Sequence, residues 1–96
     1  MAQYPFDTNK LVAICRKNDV SMIGIFGSAA RGEASARSDI DLLVRFAKQK
    51  SLLSLVRIER EISEALGRNI DLLTEAAISP YLREKVLHDL KVIYES

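Results

Sequence analysis

The chain predicts an α/β domain, α+β on some schemes, in which a small mixed sheet of three to four strands is flanked by about four helices. Three observations carry this expectation. Short apolar runs at Met22 to Phe26, Asp41 to Phe46 and Asn69 to Leu73 have the length and bounding turn residues of strands. Between the second and third runs, Leu52, Leu55, Ile58, Ile62 and Leu66 recur at steps of three and four residues, the spacing of an amphipathic helix. A helix linking two strands fits a right-handed crossover, which makes those strands parallel and brings their starts to one edge of the sheet.

Each element has local signals for its ends. Asp7 is placed to cap a first helix from about Thr8 to Asn18, with Phe6 and Leu11 spaced as a hydrophobic staple. Asn18-Asp19 closes that helix and leads to the first strand. Ser28 before Ala29, Ala30 and Arg31 predicts a short second helix, since the cap is followed by good helix formers. After the second strand, Ala47 to Lys50 is a polar connection. Ser51 caps the long helix and Gly67 closes it, while Arg57 with Glu61 and Arg60 with Glu64 are spaced to pair on its exposed side. Ser79-Pro80 starts a last helix reaching His88 or Leu90, because proline is tolerated in a first turn. Val92 to Tyr94 ends the chain as a short edge strand or an extended tail.

At 96 residues, the chain is expected to form one domain, residues 1–96, with a single core. The balance of 28% charged residues with a net charge of +1 argues against a broad basic face, so direct nucleic-acid binding is not expected. The amino terminus lacks the apolar centre of a signal peptide, and no apolar run is long enough to span a bilayer; a cytoplasmic protein without membrane contact is expected. Cys15 lies among Leu11, Val12 and Ile14, which favours core packing over redox chemistry. His88 has no partner at metal-ligand spacing and is expected on the surface near a helix end.

The chemistry concentrates between Gly24 and Phe46, GIFGSAARGEASARSDIDLLVRF. An apolar strand breaking at Gly27-Ser28 into a helix start directs unpaired N–H groups and the positive end of the helix dipole to one place, a natural seat for phosphate. Asp39 and Asp41, two residues apart at the entrance of the next strand, project from the same face. Two hard carboxylates beside a phosphate cradle suit Mg²⁺, which completes its octahedron with water and phosphate oxygens. Phosphoryl or nucleotidyl transfer follows. Either aspartate alone is explained as well by a turn or a strand end, and only the conjunction of motifs in one span favours a site. Gly27 and Gly32 have the glycine separation of a P-loop, but Glu33 and Ala34 stand where Lys and Ser or Thr belong, and that reading fails.

Gly27-Ser28, Arg31-Gly32 and Ser38-Asp39-Ile40-Asp41-Leu42 resemble the signature of the DNA polymerase beta-type nucleotidyltransferase superfamily. The chain is similar to the minimal nucleotidyltransferases in length as well as motif, over nearly all of its residues. The resemblance implies a nucleotidyltransferase fold in which Gly27 and Ser28 hold a triphosphate, Asp39 and Asp41 bind metal, and a third aspartate from a later strand, Asp71, completes the site. It also implies an antitoxin that adenylylates a HEPN-domain toxin from ATP. For Gly27 to meet Asp39 and Asp41, the first strand must run antiparallel to the second, so the sheet must be mixed.

Asp71 is then placed to hold metal and to orient or deprotonate the acceptor hydroxyl. Arg31 can touch the triphosphate, pair with Glu33 or remain solvated. Arg37, Arg45 and Arg68 read as surface charges, and Ser38 as a residue that orients the aspartate turn through its hydroxyl. With all elements assigned, no residues remain for an acceptor-binding domain, which favours a protein partner or a second subunit. Two other functions stay open: a binding module that neutralises its partner by occlusion, and nucleotidyl transfer to a small-molecule hydroxyl.

Overall fold

The computed structural model describes Tyr4 and residues 6–32 and 39–96. Its strands are β1 (Val20–Phe26), β2 (Ile40–Phe46), β3 (Ile70–Thr74) and β4 (Lys91–Glu95), and its helices are α1 (Thr8–Lys17), α2 (Leu52–Leu66) and α3 (Pro80–Asp89). The strands form one sheet in the order β3-β2-β1-β4. β1 is antiparallel to both β2 and β4, and β2 is parallel to β3, which is the mixed sheet the sequence required. The chain's last strand is an edge strand rather than a tail.

The expected caps form. Asp7 accepts from the Asn9 amide, Ser51 from that of Ser54 and Ser79 from that of Tyr81, each satisfying a donor that a helix start leaves unpaired. Gly67 closes α2 in the left-handed conformation, φ 65°, with its amide on the Ser63 carbonyl. Three local expectations differ. Residues 27–32 form consecutive turns, not a helix: Ala29 and Ala30 are buried in the core, so packing rather than helix propensity decides their conformation. Glu61 does not pair with Arg57 but crosses to Lys17 of α1, where it also accepts from Asn18. No Arg60–Glu64 ion pair forms either, among the described residues.

Period-two alternation along the strands separates two apolar clusters. Ile23 and Ile25 of β1, Ile40, Leu42 and Val44 of β2, and Ile70 and Leu72 of β3 pack with Leu11, Ile14 and Cys15 of α1 and Ile58 and Ile62 of α2. Cys15 is completely buried there, and that burial pushes its thiol up to about 12, so it stays protonated and serves as core, as expected. On the opposite face, a smaller cluster of Met22, Phe26, Leu43 and Ile78 is covered by Val86 and Leu90. β3, at the sheet's edge, is protected by Glu59 of α2, which accepts from the Leu72 amide at 2.9 Å.

Candidate active site

Strand register assembles the site. Asp41 lies opposite Phe26 of β1 on one side and opposite Asp71 of β3 on the other. Because Leu42 and Leu72 point into the large core, Asp41 and Asp71 project from the other face, towards the α3 side. Asp39 stands one residue before β2 and is exposed, as is Asp71; Asp41 is half-buried. The Asp41 carboxyl is raised above its ordinary value first by burial, then by the negative charges of Asp71 and Asp39. The charges of Asp71 and Asp39 thus both act on Asp41.

Gly27 sets the distance between the turn and this carboxylate. Its φ is +74°, and a Cβ built on it would lie 2.5 Å from Asp41 Oδ2, so any side chain would both strain the backbone and collide with the carboxylate. The turn is closed by the Gly27 carbonyl, which accepts from the amides of Ala30 at 3.1 Å and Arg31 at 3.3 Å. Among the described residues, the amides of Ser28 and Ala29 donate to no protein group. Ser28 thus opens a short run of available N–H donors beside Asp41, the kind of backbone arrangement that suits an anion, although no helix follows.

A cavity of about 320 Å³ opens here, lined by Gly27, Ser28, Arg31 and Asp41 on the sheet side, and by Leu82, Lys85 and Asp89 of α3. Its size is in the range of small-molecule sites. Arg31 lines it and donates to Asp89 Oδ2 at 2.8 Å, a partner that the sequence reading did not name. Glu33, the partner considered there, lies outside the described residues, as do Arg37 and Ser38. Arg45 is far along β2 and pairs with Glu75, in keeping with its place outside the site. The contribution of α3 was not foreseen. None of its residues is buried, and its sequence signals are Leu82, Val86 and Leu90, four residues apart on the side that meets the sheet, with Lys85 and Asp89 also four apart and so on one helical face.

The donor set is suited to a hard divalent cation. No group of three or more His, Cys, Asp or Glu side chains gathered to hold a metal ion occurs among the described residues. Mg²⁺ does not need such a cage, since one or two carboxylates with substrate phosphates and water suffice. Asp41, flanked by Asp71 in register and by Asp39 in sequence, with the free amides of Ser28 and Ala29 adjacent, fits that requirement.

A mixed sheet that sets paired carboxylates against a glycine turn defines a domain for transferring nucleotides or phosphoryl groups. The polymerase beta nucleotidyltransferase family profile matches residues 9–96, and the chain belongs to that family and is a nucleotidyltransferase. It is 45% identical over 80 residues to a candidate protein adenylyltransferase of Methanocaldococcus jannaschii, covering 83% of this chain and 86% of that protein. It is 37% identical over 71 residues to the protein adenylyltransferase MntA of Thermococcus cleftensis, covering 74% and 72% of the two chains. In structure it resembles a crystallised toxin–antitoxin with AMP-PNP, at a TM-score of 0.81 and 25% identity over 94% of this chain and 74% of the other. No helix among the described residues is long and apolar enough to cross a membrane.

Proposed function

We propose that this chain is an Mg²⁺-dependent protein adenylyltransferase, an antitoxin that transfers AMP from ATP to a tyrosine hydroxyl of a HEPN-type toxin. The observation that carries the reading is the position of Asp41, between the Gly27 turn and Asp71, on a cavity edge with available amide donors. Similarity to a toxin–antitoxin structure and to named protein adenylyltransferases supports the class of acceptor. Tyrosine and the HEPN fold of the partner rest on the family resemblance, as does a complex with that partner.

In this reading, Asp39 and Asp41 hold the cation, with Asp71 adjoining. Bound Mg²⁺ supplies polarisation of the α-phosphate and neutralisation of the leaving pyrophosphate. Gly27 and Ser28 seat the triphosphate through backbone N–H groups, with Ser38 orienting the aspartate turn. Arg31 edges the same cavity. Asp71 orients the acceptor hydroxyl and takes its proton as the oxygen bonds to the α-phosphorus and the bond to pyrophosphate breaks. Little covalent work falls on the protein, and positioning dominates.

The test incubates the protein with α-labelled ATP, Mg²⁺ and the toxin encoded beside it. Label on a toxin tyrosine is expected. Absence of label under conditions where the two proteins bind would exclude catalysis and favour a second reading, neutralisation by occlusion, for which the exposed Leu52, Leu53 and Tyr81 provide apolar contact surface. An Asp39→Asn, Asp41→Asn double variant that still neutralises fully would favour occlusion as well. Label on a small-molecule hydroxyl in place of the toxin would redirect the reading to that substrate class.

A further inference from the structure

Among the described residues, Arg31 and Lys85 are the cations lining the cavity, and they stand in different electrostatic states. Arg31 is engaged by Asp89 at 2.8 Å. Lys85 is exposed and, among the described residues, makes no ion pair or hydrogen bond. The cavity thus has the Asp41 carboxylate on the strand side and, on α3, the Lys85 ammonium beside Asp89, whose carboxylate is engaged by Arg31. A ligand that bridges the two walls must present metal-binding oxygen at one end and negative charge at the other.

Strand order orients that ligand. Asp71 belongs to β3, Asp41 to β2, and the Gly27 turn to the end of β1, in the spatial order β3-β2-β1. Lys85 shares its cavity with the Gly27 turn on the β1 side, whereas Asp71 lies beyond Asp41 on the β3 side. If the acceptor is met at Asp71, the departing end of the nucleotide points the opposite way, towards α3. We propose that Lys85 is a phosphate ligand that holds the pyrophosphate end of the bound nucleoside triphosphate. The assignment rests on the nucleotidyltransferase reading of the site and adds to it a residue from an element outside the signature motifs. Lysine serves such a role as a point charge on a flexible stem, and an exposed one has little prior bonding to lose on engagement.

The experiment titrates the whole protein with AMP-PNP and, separately, AMP in the presence of Mg²⁺, by calorimetry. In Lys85→Met, which keeps length and removes charge, the Kd for AMP-PNP should rise about tenfold, the effect of losing one charge-assisted hydrogen bond, while that for AMP stays unchanged. Lys85→Arg should restore most of the affinity. Lys48→Met, which removes a lysine from the connection beyond the far end of β2, should bind as the wild type does. An unchanged unliganded melting temperature in Lys85→Met is expected and separates lost ligation from lost fold. Wild-type affinity for AMP-PNP in Lys85→Met, with binding abolished in Asp41→Asn, overturns the lysine assignment and leaves the site reading intact. Equal weakening of AMP and AMP-PNP overturns the pyrophosphate-end placement. Failure of the wild type to bind AMP-PNP with Mg²⁺ overturns both.

Discussion

On one face of the sheet, α1 and α2 bury Leu11, Cys15, Ile23, Ile25, Leu42 and Ile62 completely; on the other, α3 contributes no buried residue of its own. The second face is covered by a cluster centred on only Met22, Phe26, Leu43 and Ile78, and beside it the sheet displays Asp41 and Asp71. The contrast shows where stability and chemistry are separated. Closely packed apolar contacts on the first face can carry the fold, so the second can keep the half-buried Asp41 beside the exposed Asp71, although burial and the neighbouring charge work against its ionised form. β2 belongs to both faces, with Leu42 anchored in the large core and Asp41, the residue before it, held at the site by that anchor.

Four substitutions break or sharpen this contrast. Ile62→Ala, in the fully buried centre of the α2 face, should lose about 2–5 kcal/mol of stability in chemical denaturation. A loss below about 1 kcal/mol would mean that this face does not dominate the fold. Asp41→Asn should act in the reverse sense: nucleotidyl transfer falls by at least about a hundredfold, while the unliganded protein melts at the same temperature or higher. The sign follows from the raised Asp41 pKa. The folded state holds that proton more tightly than the unfolded chain, so this group's contribution is full below its unfolded pKa and is lost as pH rises through the folded one. Thermal melts of metal-free protein across the acidic range should show that loss in the wild type and a flatter profile in the variant.

Gly27→Ala should cost about 1–2 kcal/mol, because alanine must enter the left-handed region and its Cβ would press on the Asp41 carboxylate. Nucleotide-dependent thermal stabilisation should weaken with it; retention of full stabilisation would show that the turn does not set the site. The smallest effect belongs to Leu87→Ala. This α3 residue is 49% exposed, and its truncation should change stability by no more than about 0.5 kcal/mol. A loss comparable with that of Ile62→Ala would erase the difference between the faces.

Much of this molecule is legible in the order of its residues because the relevant physics is local. Asp7, Ser51, Ser79 and Gly67 bond within a few residues of themselves, so the ends of α1, α2 and α3 follow from side-chain chemistry and backbone freedom. The period-two alternation of β2 and β3 places Leu42 and Leu72 on one face and Asp41 and Asp71 on the other. A helix-length connection makes those strands parallel and sets the carboxylates side by side. Other features depend on what arrives from distant parts of the chain. Ala29 and Ala30 are helix formers by propensity, yet core burial holds them in turns. Glu61 could reach Arg57 on its own helix, but the packing of α1 against α2 brings Lys17 to it instead. Asp89 reaches Arg31 across 58 positions of sequence, and Lys85 enters the same cavity only because α3 packs over the end of β1. Caps and periodicity are set by neighbours that the chain cannot separate, whereas the far wall of the site depends on which distant surfaces bury one another, and that is decided only when the sheet and its helices close together.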